Sequence, residues 1–162
     1  GGEGMRVLVL SDNHGRIGEM QRAYEKVKPE MVLHLGDSQM GFQQLQAFFD
    51  CEVIGVKGNC DYDMDLPKTT EVSLGRHKVF MTHGHLYDVR FDLQTLADAA
   101  KEMGCDVALF GHTHVPENRT VGSVTICNPG SIAQPRQDGH QYTYMVIDVD
   151  NEGELHYKHM HL

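Results

Sequence analysis

Apolar residues fall in short runs separated by turn-forming residues. Met5 to Leu10, Met31 to Leu35, Val53 to Val56, Val79 to Met81 and Val107 to Phe110 each have strand length and aliphatic, often β-branched, content. Between the early runs the apolar period lengthens to that of a helix. Ile17, Met20, Ala23, Tyr24 and Val27 share one helical face, and Pro29 stops that segment. Met40, Leu45, Phe48 and Phe49 predict a second helix. Leu93, Leu96, Ala97, Ala100 and Met103 predict a third, with Gly104 placed to cap it. Three hairpins follow from alternation around turn residues: Thr70 to Leu74 with His77 to Met81, Val115 to Val121 with Val124 to Cys127, and Tyr142 to Val149 with Glu154 to His159. Strand–helix alternation joined to hairpins predicts a mixed α/β domain with more than one sheet. No linker or internal repeat interrupts it.

Composition narrows the setting. The 162 residues are 40% hydrophobic, enough to fill a core without disulfide staples. Gly1-Gly2-Glu3-Gly4 reads as an expression scar, which leaves residues 5–162 as one domain. No apolar stretch approaches the ~20 residues of a bilayer span, so no membrane contact is expected. Cys51, Cys60, Cys105 and Cys127 form no CxxC pair, and scattered thiols without a secretory pattern point to the cytoplasm. A net charge of −9 argues against nucleic acid as the partner. It leaves room for a small phosphorylated substrate, because bound cations can reverse the local sign. Eleven histidines in a chain without tryptophan are the unusual feature.

Five of those histidines, with aspartates and an asparagine, follow the strand-like runs. The first run leads into Ser11-Asp12-Asn13-His14-Gly15 and the second into Gly36-Asp37. The third leads into Gly58-Asn59-Cys60-Asp61, the fourth into Thr82-His83-Gly84-His85, and the fifth into Gly111-His112-Thr113-His114. In open α/β sheets the carboxyl ends of strands form the ligand rim. Turn chemistry explains Gly, Asn and Asp at such places but has no special need for histidine. Two aspartates, one asparagine and four histidines exceed what one tetrahedral ion can use. They suit two cations sharing a bridging carboxylate, about 3.5–4 Å apart. A donor set of oxygen and nitrogen without thiolate suits manganese, iron or zinc.

The ordered series Asp12-x-His14, Gly36-Asp37, Gly58-Asn59, His83 and Gly111-His112-Thr113-His114 resembles the calcineurin-like metallophosphoesterases. The small size, with Asn128-Pro129-Gly130-Ser131 and Pro135-Arg136 later on, is similar to the compact YfcE-type phosphodiesterase branch. The resemblance implies an α/β fold of two mixed β-sheets packed as a sandwich with flanking helices. It implies a hydrolase carrying two divalent metal ions, manganese first, with zinc, iron or nickel as substitutes. One ion would be held by Asp12, His14, Asp37 and His114, the other by Asp37, Asn59, His83 and His112. A metal-bridging water or hydroxide would attack a small phosphodiester in line, with no covalent enzyme intermediate. Relatives of this size also suggest a homo-oligomer.

One position departs from the family pattern. Many relatives carry a histidine after Gly-Asn that protonates the leaving oxygen, and here that residue is Cys60, beside Asp61. Cys60, Asp61 and His85 are therefore the candidates around the leaving group. His34 is expected to pack beneath the site. His77 and His140 are placed in turns, and His156, His159 and His161 in a terminal strand expected to fray. Arg136 is a candidate phosphate contact that an exposed loop explains equally well. Two other functions fit the same pattern: a protein-interaction scaffold on this fold (Vps29-like), which the full ligand set disfavours, and a nuclease, which the net acidity disfavours.

Overall fold

The computed structural model describes residues 4–62, 65–134 and 141–162. The leading glycines, Pro135, Arg136 and His140 lie outside the described residues, apart from Gly4. Among the described residues, ten strands and three helices follow in order: β1 (Met5–Leu10), α1 (Gly18–Val27), β2 (Met31–His34), α2 (Phe42–Phe48), β3 (Glu52–Gly55), β4 (Thr69–Leu74), β5 (His77–Thr82), α3 (Gln94–Glu102), β6 (Val107–Leu109), β7 (Glu117–Val121), β8 (Val124–Asn128), β9 (Thr143–Val149) and β10 (Leu155–His161). They form two five-stranded mixed sheets, ordered β10-β9-β1-β2-β3 and β4-β5-β6-β8-β7. β1, β2 and β3 run parallel, as do β5, β6 and β8.

Strand alternation distributes the apolar residues into layers. Val7, Val9, Leu33 and Leu35 on one sheet meet Val79, Met81, Val107 and Leu109 on the other. Leu8 and Leu10 point the opposite way, onto Met20, Ala23 and Val27 of α1 and Leu45 of α2. Phe80, Ala108 and Ile126 likewise cover Leu96, Ala97 and Ala100 of α3. The order of layers is therefore helix, sheet, sheet, helix. Each fully buried leucine in this arrangement contributes roughly 1.5–3 kcal/mol. The central strands are buried on both faces, which is why they read as unbroken apolar runs rather than alternating ones.

Local boundaries follow simple chemistry. α1 closes at Lys28, whose left-handed backbone (φ 51°) sends its N–H to Tyr24 O, and Pro29 cannot continue the turn. β7 starts at Glu117 rather than Val115, because Pro116 has no N–H for the ladder. The expectation of a frayed terminal strand is wrong. β10 pairs with β9 from Leu155 to His161, and His159 Nε2 donates to Asn128 O (2.8 Å), tying this sheet edge to the end of β8.

Candidate metal centre

The C-terminal ends of β1, β2, β3, β5 and β6 open onto one rim shared by both sheets. The loops after β1 and β2 are laced together by Asp12 N–H to Gly36 O (3.0 Å), His14 N–H to Asp37 O (2.9 Å) and Gly15 N–H to Ser38 O (2.8 Å). Across the sheets, His83 Nδ1–H donates to Leu35 O (2.7 Å) and His112 N–H to Asp12 Oδ2 (3.1 Å). Asp12, His14, Asp37, His112 and His114 all hold left-handed backbone, with φ of 59°, 48°, 57°, 68° and 62°. Non-glycine residues adopt this region at a cost of order 1–3 kcal/mol each and keep it only where the surroundings over-determine it. Two glycines permit the closeness. A Cβ at Gly58 would strike the Asp37 carboxylate, and one at Gly111 would strike Ser11 Oγ.

Each carboxylate spends one oxygen on the protein and presents the other. Asp12 Oδ2 accepts from Ser11 Oγ–H (2.6 Å) and His112 N–H, whereas Asp12 Oδ1 is buried without a hydrogen-bond partner. Asp37 Oδ1 accepts from Cys60 N–H (2.8 Å), and Oδ2 faces His83 Nε2 at 3.2 Å and His14 Nε2 at 3.8 Å. The imidazoles follow the same rule. His83 spends Nδ1–H on Leu35 O and His114 spends Nδ1–H on Gln134 O (2.6 Å), so each directs a lone pair on Nε2 inward. His83 Nε2 is buried and unpartnered. His114 Nε2 lies 3.3 Å from Asp12 Oδ1 and 3.4 Å from His14 Nε2.

Acceptor atoms aimed at one another in a buried pocket need positive charge between them. The donor set therefore fits cations. Asp12, His14 and His114 form one group whose ligand atoms lie within 4.8 Å of one another, and Asp12, Asp37 and His83 form a second. Two such clusters fit a pair of divalent ions. The electrostatics agree. Burial works against ionised Asp37, but the His83 and His14 imidazoles and the Cys60 N–H outweigh it and hold the carboxyl well below its usual range. Burial also opposes a charged His83, yet Asp37 and Asp12 raise its proton affinity. Both shifts favour positive charge at the cluster.

The remaining sequence candidates are placed as follows. His112 is half-buried, with its ring 5.1 Å from that of His83, and burial, His83 and Arg90 bring its pKa down to about 4. Asn59 stands exposed on the loop after β3. His85 is half-buried against His83 and His112, with Nδ1 shielded and unpartnered, and burial lowers its pKa. The expected donor set held no sulfur, but the Cys60 thiol comes within the same 4.8 Å limit of His14 and Asp37. Burial and then Asp37 push that thiol's pKa up.

Asp61 does not face outward. Its buried carboxylate accepts three backbone N–H groups, from Asp37 (2.7 Å), Gly58 (2.9 Å) and Gln39 (2.9 Å). Sequence reasoning missed this brace, as it missed Ser11, Arg90 and the pairing of His34 with Asn13. His34 accepts from Gly36 N–H at Nδ1 and donates from Nε2 to Asn13 Oδ1 (2.8 Å), while Asn13 donates to Ser38 O (3.2 Å). Burial keeps His34 neutral, with its pKa lowered to about 4. The one available signal was Asn13 lodged between two ligand-type residues.

Comparison with known proteins supports the same reading. The profile of the calcineurin-like phosphoesterase superfamily domain matches residues 5–152. The probable metallophosphoesterase YsnB of Bacillus subtilis is 33% identical over 150 residues, covering 91% of this chain and 86% of its own. Phosphodiesterase YfcE of Escherichia coli is 35% identical over 107 residues, covering 61% of this chain and 54% of its own. Among solved structures, a predicted phosphoesterase from Streptococcus pneumoniae superposes with a TM-score of 0.80 at 29% identity, over 98% of both chains.

Proposed function

Because the chain belongs to the calcineurin-like phosphoesterase superfamily, we propose that it is a dinuclear metal-dependent phosphodiesterase of the compact YfcE-type branch, acting on small phosphodiesters. The observation that carries this reading is the convergence of Asp12 Oδ1, Asp37 Oδ2 and the Nε2 atoms of His14, His83 and His114 on one buried pocket. Asp12, His14, Asp37 and His114 would hold one ion, and Asp37, Asn59, His83 and His112 the other. Manganese is the proposed metal. When bound, the dications supply charge neutralisation for the phosphate and a water acidic enough to ionise near neutral pH.

The chain's own part is to hold these donors rigid and charged. Asp37 is seated by Asp61 through its N–H and by Cys60 through its side chain, so its free oxygen points one way only. Leu35 O and Gln134 O fix the tautomers of His83 and His114, leaving both Nε2 lone pairs for cations. Two dications against the two aspartates leave a net positive patch in an acidic protein, which draws an anionic ester. Asp61 is assigned to bracing the loop and not to the leaving group. Burial lowers the pKa of His85 and so disfavours the imidazolium that would act as the acid, and the Cys60 thiol is a weak donor. The reading therefore favours esters with good leaving groups.

A panel of phosphomonoesters and diesters, assayed with manganese, nickel, zinc and magnesium, tests it. Hydrolysis of aryl diesters, abolished by chelator and restored by metal, is the expected result. Full metal occupancy without turnover on any ester would favour the scaffold reading instead.

A further inference from the structure

Arg90, in the loop between β5 and α3, is a cation whose partner is a proposed metal ligand. Its Nε–H donates to His112 Nε2 (3.3 Å) and its Nη2–H to His112 O (3.4 Å). The side chain is exposed, and among the described residues no carboxylate pairs with it. In a protein of net charge −9 an unpaired guanidinium at the rim is notable.

Proton counting on the imidazole constrains what this contact can be. Neutral imidazole has one lone pair and one N–H. While Nε2 accepts from Arg90, the proton sits on Nδ1, and neither nitrogen is free to ligate. If His112 ligates through Nε2, it must take that lone pair back from Arg90. If it ligates through Nδ1, the proton moves to Nε2 and then confronts the Arg90 N–H donor to donor. Both routes expel Arg90 Nε from the ring. The bond to His112 O is untouched by either route, so the guanidinium stays tethered at the rim with its donors free.

What lies around it suits a phosphoester. Arg90 also lines a groove of about 340 Å³ with Phe91, Thr113, Val115 and Arg119, in which the Phe91 ring is 87% exposed. The guanidinium therefore stands between the metal-type cluster and a groove of mixed character, whose apolar side chains Phe91 and Val115 sit beside Asp92 and Glu117. A diester with its phosphate over the cluster and its organic group in the groove passes the arginine fork, whose geometry matches phosphate oxygens.

Building on the phosphoesterase reading, we propose that Arg90 exchanges partners: cation binding at His112 displaces it, and the released guanidinium binds the substrate phosphate. The test begins without substrate. Chelator-stripped wild type, Arg90→Ala, Arg90→Lys and Arg119→Ala are titrated with manganese by calorimetry. Arg119 lines the same groove but pairs with Glu117 (3.4 Å) and serves as the control. Removing a competitor for His112 should tighten the weaker ion in Arg90→Ala by about fivefold, the worth of one ordinary hydrogen bond, and leave Arg119→Ala at the wild-type value. On bis-p-nitrophenyl phosphate the same variant should raise KM about ten- to a hundredfold with kcat within about threefold, as expected for losing a charge-assisted bond, and Arg90→Lys should fall between. Weaker manganese binding in Arg90→Ala would make the residue a plain structural brace and overturn the exchange. An unchanged KM would overturn phosphate binding. If no ester is turned over, the phosphodiesterase reading fails by itself. Binding of inorganic phosphate to manganese-loaded wild type and Arg90→Ala then decides the second half in place of KM.

Discussion

Asp61→Asn tests the claim that this carboxylate builds the site without touching substrate. Oδ2 accepts from Asp37 N–H (2.7 Å) and Gly58 N–H (2.9 Å), and Oδ1 from Gln39 N–H (2.9 Å). Asparagine has the same shape but one oxygen. Its best orientation keeps the Asp37 and Gly58 donors and turns its NH₂ toward Gln39 N–H, donor against donor. One charge-assisted bond is lost, worth about 1.5–3 kcal/mol, and two more fall to neutral strength, about 1 kcal/mol each. The sum, about 3–5 kcal/mol, is a large part of the 5–15 kcal/mol typical of a domain. At 2–4 °C per kcal/mol for a chain of this size, Tm should drop by roughly 6–20 °C. The loss should also reach the metals, because the Asp37 N–H bond helps fix a backbone at φ 57° that aspartate does not choose freely. Thermal and urea unfolding of chelator-treated protein gives the stability change, and calorimetric titration with manganese gives the affinity. A variant within about 2 °C of wild type that still binds both ions at full strength would refute the bracing role.

Three further outcomes are expected. Asp37→Asn should lose more than one ion per chain by elemental analysis after dialysis, because Asp37 is proposed to serve both ions, whereas His114→Ala should lose mainly one. The wild type should depend steeply on leaving-group pKa, with alkyl esters about 10²–10⁴-fold poorer than an assisted reaction. Cys60→Ser should leave aryl diester turnover nearly unchanged and Cys60→His should raise alkyl activity. A shallow wild-type slope that steepens in Cys60→Ser would show that the thiol donates the proton. Away from the site, His77 lies between Asp106 (2.6 Å) and Glu154 (3.0 Å), which raise its pKa. Its stabilisation is thus complete below the unfolded value of about 6.5 and is lost as pH rises through the raised folded value. The Tm gap between wild type and His77→Gln should be wide at pH 6 and narrow at high pH, and a gap independent of pH would remove the coupling.

Much of this molecule is local and therefore legible along the chain. Met5–Leu10, Met31–His34 and Val107–Leu109 are apolar runs because central strands are covered on both faces, and the α1 and α3 faces repeat every third or fourth residue because only one side of each helix is buried. The ligand-type residues are legible for a related reason: strand ends need turns, and histidines inside turn sequences have no role in turning the chain. Other features depend on distances in space that no spacing along the chain encodes. Asp61 looked like a catalytic neighbour of Cys60 because the two are adjacent in sequence, yet its carboxylate turns inward to three backbone N–H groups across the loop after β2. Arg90 drew no notice because its partner is 22 residues away. β10 looked like a fraying end, although its whole length is paired with β9. Which oxygen of each aspartate is spent and which is presented is likewise set by donors from other strands. A side chain's type limits what it can bind, but the groups that satisfy it arrive from distant segments, and only packing decides which of its atoms remain free.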